Sequence, residues 1–326
     1  MNKEDFRIIF MGTPEFAVAS LDALVRHNFN VVGVITGPDK PGGRGQKLIP
    51  SPVKKYALKK KMHLLQPDKL KDPQFLESLK SLKPDLQVVV AFRILPESVW
   101  TLPPHGTINL HASLLPRYRG AAPINWAIIN GETETGLTTF FIQHEIDTGN
   151  ILFQEKLTIG PDETAGELHD RLKITGADLV IRTVQNIIDG TIKETKQNLL
   201  ARDIRELRPA PKISREDCLI GWNNGVDRVF NFIRGLSPLP GAWHEWIAGS
   251  DDKLFLKIYS STKEYTIHGY EPGTLLTDKK HLLKVACKDG FIHIKDLQQA
   301  GKKRMGVEEY LRGVRNLDSF CVVLGF

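Results

Sequence analysis

The stretch RIIFMGTPEFAVASLDALVRHNFNVVGVI, residues 7–35, decides the fold class of this chain. Residues 7–11 form a short apolar run that stops at Gly12-Thr13-Pro14. Apolar residues then recur at helical spacing through residues 16–27, and a second apolar run fills 31–35, so the chain opens strand, loop, helix, strand. The pattern carries outward: helix-like spacing over 53–61, a short run at 63–65, helix-like spacing over 73–82, a strongly apolar 86–91 and an apolar-leaning run from 106 to 110. Strands alternating with helices predict an α/β architecture, a doubly wound, mostly parallel sheet with helices on both faces. Buried parallel strands read as near-continuous apolar runs, as 86–91 does. Ligands of such sheets gather at the carboxyl ends of the strands, which is where Gly12, Phe92, Asn109 and His111 fall.

A helical pattern over residues 164–189 closes this part, and residues 199–213, where Arg and Lys interleave with Pro209 and Pro211, read as a linker. Beyond it come helix-like spacing over 226–235 and short β-rich runs at 242–247, 254–259, 273–276, 282–286 and 291–297. Several short strands divided by turn residues predict a small OB-like β-barrel. The expected domains are therefore 1–198, a linker 199–213, and 214–326.

With 326 residues, 41% apolar and 25% charged, the chain can fill two cores, and its composition excludes wholesale disorder. Residues 207–326 hold 18 basic and 14 acidic side chains, so +4 of the +6 net charge lies in the smaller part. That surplus permits a polyanionic partner without demanding one. Cys218, Cys287 and Cys321 are widely spaced and form no paired motif, which argues against a disulfide framework and a zinc ribbon. The acids of Met1-Asn2-Lys3-Glu4-Asp5 do not suit a targeting peptide, and no apolar run reaches membrane-spanning length, so the expected location is cytoplasmic.

The chemistry concentrates in NLHASLLPRYRG, residues 109–120, and IDTG, residues 146–149. Asn109 and His111, two apart on a strand, leave on the same face. Acyl transfer needs a donor for the developing oxyanion and a group that shuttles protons near neutral pH. Asn and His supply both, and Asp147 is the candidate carboxylate to orient the imidazole and favour its charged form. An isolated Asn-x-His is more often a satisfied polar pair near a strand end than a catalytic one. His111 and Ser113 do not make a serine hydrolase, because no separately positioned base serves the hydroxyl. His144-x-x-Asp147 has metal-site spacing but no evident third ligand, so no metal is expected. Gly12-Thr13-Pro14 is not a dinucleotide fingerprint, since no Gly-x-Gly-x-x-Gly follows the first strand and Pro14 removes an amide.

The Asn-x-His, the Ser-Leu-Leu-Pro turn, the Tyr-x-Gly beyond it and the distant Asp-Thr-Gly together resemble the signature of the folate-dependent formyltransferase family, with its Rossmann-like catalytic domain. The stretches RGAAPI (119–124), MGTPEFA (11–17), PDKPGGRG (38–45) and SPVK (51–54) are similar to the branch that formylates methionyl-tRNA, and the similarity runs nearly end to end. The resemblance implies a transferase that moves a formyl group from 10-formyltetrahydrofolate to initiator methionyl-tRNA, with Asn109, His111 and Asp147 as catalytic residues. It implies folate contacts at Ser113, Leu114, Leu115 and Pro116 and along Phe92, Arg93, Ile94 and Leu95. It places tRNA contacts at Arg44, in a Gly/Pro loop spanning 38–52 with Lys40 and Lys47, and at Lys212, Lys302 and Lys303, and it sets Phe16 beside the methionyl end. Neither a membrane nor DNA is an expected partner. One departure stands out: Ala91-Phe92-Arg93-Ile94-Leu95-Pro96 lies where most of that branch carries Tyr-Gly and one more residue before Leu-Pro. The alternatives are formyl transfer to a small amine such as a nucleotide sugar or glycinamide ribonucleotide, hydrolysis of the formyl-folate, and a non-catalytic RNA-binding protein.

Overall fold

A computed structural model describes residues 2–42, 47–200, 207–249, 252–314 and 317–323. The chain divides into two compact units, residues 1–121, 135–157 and 169–210 in the first and 122–134, 158–168 and 211–326 in the second. Two segments expected in the first domain, 122–134 and 158–168, thus group with the second, and the expected linker divides, 199–200 and 207–210 grouping with the first unit and 211–213 with the second.

The first unit is built on β1 (Ile8–Gly12), α1 (Glu15–Arg26), β2 (Val31–Ile35), β3 (Lys40–Gly42), β4 (Lys47–Ile49), α2 (Pro52–Lys59), β5 (Leu64–Leu65), α3 (Pro73–Ser81), β6 (Leu86–Val90), α4 (Glu97–Trp100) and β7 (Thr107–His111). Its main sheet runs β5-β2-β1-β6-β7 and continues through β8 (Glu134–Phe141) to β9 (Ile151–Thr158). The strands from β5 to β7 are parallel and β8 pairs antiparallel with β7. Every residue of β1 and β6 is buried, as their apolar runs require at the centre of a parallel sheet. Ser51 and Asp72 each accept the backbone N–H three residues on, and Pro52 and Pro73 follow them, so both helices start where cap and proline coincide. Residues 38–52, expected as one long loop, contain the two-stranded ribbon β3–β4, with Lys40 opposite Ile49 and Gly42 opposite Lys47. The long helix α6 (Ala165–Ile188) follows β9.

The second unit holds α5 (Pro123–Ile129), α7 (Val226–Gly235) and a sheet of β10 (Ala242–Ala248), β11 (Asp252–Tyr265), β12 (Leu275–Thr277), β13 (Leu283–Cys287), β14 (Gly290–Gln299), β15 (Met305–Gly306) and, after α8 (Val307–Gly313), β16 (Cys321–Val323). The order is β10-β11-β14-β13-β12-β16, with β15 added on β14. The pairings are antiparallel except β12 with β16. Register shifts in β11 between Ile258 and Ser261 bend the sheet. The small barrel expected from the sequence is this curled sheet, a half-barrel. Val226, Val229, Phe230 and Ile233, spaced as one helix face, pack with Leu256, Ile258, Ile292, Ile294 and Tyr310 in its core. Among the described residues no helix is long and apolar enough to cross a membrane.

Candidate active site

β7 delivers Asn109 and His111 at the carboxyl end of the parallel sheet. His111 is buried and Asn109 half-buried. Among the described residues the Asn109 carboxamide has no hydrogen-bond partner. Its donors are thus uncommitted beside the imidazole.

The turn after β7 is fixed from beneath. Ser113 Oγ donates to the Arg117 carbonyl at 2.6 Å, Thr138 Oγ1 donates to the Ser113 carbonyl at 2.6 Å, and the Leu115 amide donates to Thr138 Oγ1 at 3.1 Å. Gln154 Nε2 donates to the Leu115 carbonyl at 2.9 Å, so β8 and β9 together hold the turn. The Leu115 side chain packs with Phe140 and Ile151. The turn ends on Tyr118, at φ +59°, whose amide reaches the carbonyls of Leu207 and Arg208. Its carbonyl lies 2.8 Å from His111 Nε2. A carbonyl only accepts, so Nε2 carries a proton and Nδ1 is the nitrogen left for other partners.

Asp147 meets that nitrogen. Its Oδ2 stands 3.8 Å from His111 Nδ1 and accepts the Gly120 amide at 2.9 Å. The separation attracts an imidazolium while exceeding a direct hydrogen bond. Two glycines make the approach possible. Gly120, at φ +126°, would place a Cβ 2.4 Å from the Ala210 carbonyl oxygen, and Gly149 would place one 1.6 Å from that of Phe141. Asp147 itself sits at φ +56°, which Asp tolerates better than most residues. Burial pulls the Arg119 guanidinium below its ordinary pKa, while the carboxylates of Asp147 and Glu145 act in the opposite direction.

The expected folate residues divide. Ser113 is spent within the turn, and Leu115 is part of a core cluster. Leu114 is half-buried and Pro116 buried. Of residues 92–95, Leu95 lies in the core of the sheet and Phe92 packs against it. Arg93 donates to the carbonyls of Pro67 and Asp68, tying two loops together. Ile94 is 74% exposed. Phe16, expected beside a methionyl group, is buried on the inner face of α1 with its ring 5.2 Å from that of His169. Lys40 and Lys47 stand exposed on the β3–β4 ribbon, while Arg44 lies outside the described residues. Lys212, Lys302 and Lys303 are exposed in the second unit. His144 is exposed, and the described residues hold no group of three or more His, Cys, Asp or Glu placed to bind a metal.

Sequence reasoning missed Thr138, Gln154 and Gln197, which work through the backbone of the two loops. Gln197, 3% exposed, donates to the carbonyls of Asp147 and Gly149. A lone glutamine fifty residues from the motif it supports offers no pattern to detect.

The Formyl transferase family matches residues 6–184, and the Formyl transferase, C-terminal domain family matches 212–315. A methionyl-tRNA formyltransferase of Bacteroides thetaiotaomicron is 54% identical over 98% of this chain and 99% of its own length. One from Flavobacterium johnsoniae is 52% identical over 95% of this chain and 97% of its own. Among solved structures, a sugar 3N-formyl transferase crystallised with dTDP and 5-N-formyl-THF matches 91% of this chain and 99% of its own at a TM-score of 0.62 and 24% identity. HypX from Aquifex aeolicus matches 98% of this chain and 49% of its own at a TM-score of 0.63 and 18% identity. These two likenesses speak for the fold. Both family matches and the near full-length relatives agree: the chain belongs to the formyl transferase family, grouping with its methionyl-tRNA members.

Proposed function

We propose that this protein transfers the formyl group of 10-formyltetrahydrofolate to the free amino group of initiator methionyl-tRNA, in the cytoplasm, giving formylmethionyl-tRNA for translation initiation. The observation that carries the reading is the meeting of an uncommitted carboxamide, an imidazole and a carboxylate at the end of β7, in a chain 54% identical along nearly its whole length to a methionyl-tRNA formyltransferase.

The amino nitrogen attacks the formyl carbon, the carbonyl oxygen becomes anionic and the nitrogen cationic. The amine then loses a proton, the bond from carbon to the folate nitrogen breaks, and that nitrogen takes up a proton. Asn109 donates to the anionic oxygen, a contribution of about 3–4 kcal/mol by the standard of other oxyanion donors. His111, held by the Tyr118 carbonyl through Nε2, presents Nδ1 for proton exchange. Asp147, anchored by the Gly120 amide, stabilises the charged ring and accepts the amine proton through a water.

The turn at Ser113, Leu114, Leu115 and Pro116 offers backbone groups to the folate, and Ile94 offers an exposed apolar side chain in the loop after β6. Lys40, Arg44 and Lys47, with Lys212, Lys302 and Lys303, are the cations offered to the tRNA phosphates. The test is a parallel incubation with formyl-folate and methionyl initiator tRNA, methionyl elongator tRNA or an amino-sugar nucleotide. Formylmethionine on initiator tRNA is expected; formylation of the sugar nucleotide with none on tRNA would overturn the proposal.

A further inference from the structure

The Asp147 turn is held by a residue outside every motif described above. Thr195 and Ile151 exchange backbone hydrogen bonds of 2.8 Å each, which straps residues 195–199 to the start of β9. Gln197 follows at once, and its side chain is almost wholly enclosed at 3% exposure. Its Nε2 donates to the Asp147 carbonyl at 2.9 Å and to the Gly149 carbonyl at 2.8 Å. Its Oε1 accepts Arg119 Nε at 3.1 Å and Nη2 at 2.7 Å. One carboxamide uses both its hydrogens on the turn that carries Asp147. With its oxygen it grips the residue between Tyr118, which holds His111, and Gly120, which holds Asp147.

We propose that Gln197 is a positioning residue for formyl transfer: it fixes Asp147 opposite His111 and keeps the Arg119 guanidinium occupied, so that the carboxylate stays free for the imidazole. This rests on the catalytic reading of Asp147 given above. The carboxylates of Asp147 and Glu145 favour the charged form of Arg119 against its burial. A guanidinium paired with Asp147 would compete with His111 for the same oxygens. Leucine is one bond shorter and makes no hydrogen bonds, and glutamate keeps the acceptor for Arg119 but loses both donors to the turn.

The experiment measures steady-state formylation by the full chain in Gln197→Leu, Gln197→Glu, Asp147→Asn and the Gln197→Leu/Asp147→Asn double variant, with thermal melting of each. Expected is a fall in kcat of about tenfold or more for both Gln197 variants, with KM for folate and tRNA within about twofold. In the Asp147→Asn background, adding Gln197→Leu should cost less than about twofold more, because the residue acts through that carboxylate. If the leucine variant does not fold, the glutamate variant and its own double with Asp147→Asn carry the test. Wild-type kcat in folded Gln197 variants would overturn the proposal, and so would an equal penalty in both backgrounds. Asp147→Asn with near wild-type kcat would instead remove the catalytic reading itself, and this inference with it.

Discussion

Asn109 is the residue whose removal separates chemistry from stability most cleanly. Its carboxamide has no partner among the described residues, so Asn109→Ala leaves no buried group unpaired. The variant should melt within a degree or two of the parent yet lose about 10²–10³ in kcat, as checked by calorimetry and initial rates. A loss of stability in step with activity would count against the role. The meeting of Asn109, His111 and Asp147 at the end of β7 was legible in the sequence because the roles proposed for them belong to side chains, and residue type survives in the string. The Tyr118 carbonyl was not, since a backbone oxygen carries no signature. Phe92 and Leu95 show the converse limit: resemblance led to the expectation of folate contacts along their loop, and the structure packs both side chains on the core of the sheet.

Among the elements, β11, β14 and β13 are joined by one carboxylate. Glu264 on β11 pairs with Lys284 on β13 at 2.8 Å and contacts His293 on β14. Burial alone would push this carboxyl up, but the hydrogen bonds from Lys284 and His293 hold it below its ordinary value. A lowered carboxyl pKa means stability that is present above pH 4.5, the ordinary value, and lost as pH falls through the folded one. Glu264→Gln should therefore cost on the order of 1 kcal/mol at neutral pH, discounted for its partial exposure. In melts taken at descending pH the gap between variant and parent should close below pH 4.5; a gap independent of pH would contradict the assignment. Helix α7 was legible because Val226, Val229, Phe230 and Ile233 mark one face. β8 was not, because its buried positions include Thr135, Thr138 and Thr139. Thr138 spends its hydroxyl on the turn after β7, and Thr139 Oγ1 meets Thr183 Oγ1 at 2.8 Å, so polar residues occupy core positions that an apolar pattern cannot reveal.

Across the whole molecule the charge and the division into units govern how RNA binding can be tested. The alternation of strands and helices and the later cluster of short strands made two units readable. That residues 122–134 join the second was not readable, because α5 is a seven-residue helix whose packing partner, α7, lies about a hundred residues on. Asn125 Nδ2 donates to the Gly235 carbonyl at 2.8 Å, and Ile129 packs on the same core. Truncation after Lys212 would strip α5 of that cover, so charge substitution is the cleaner probe. Lys212→Ala/Lys302→Ala/Lys303→Ala should raise KM for tRNA and make its log–log dependence on salt shallower by about 2, with the folate KM unchanged. An unaltered salt slope would remove these lysines from the tRNA surface.

His111→Gln puts the central claim under the most direct strain. Glutamine can still donate to the Tyr118 carbonyl but cannot exchange a proton near neutral pH. In a single-turnover assay with formyl-folate and methionyl initiator tRNA, the folded variant should transfer the formyl group about 10²–10⁴-fold more slowly than the parent. A rate within threefold of the parent would contradict the account.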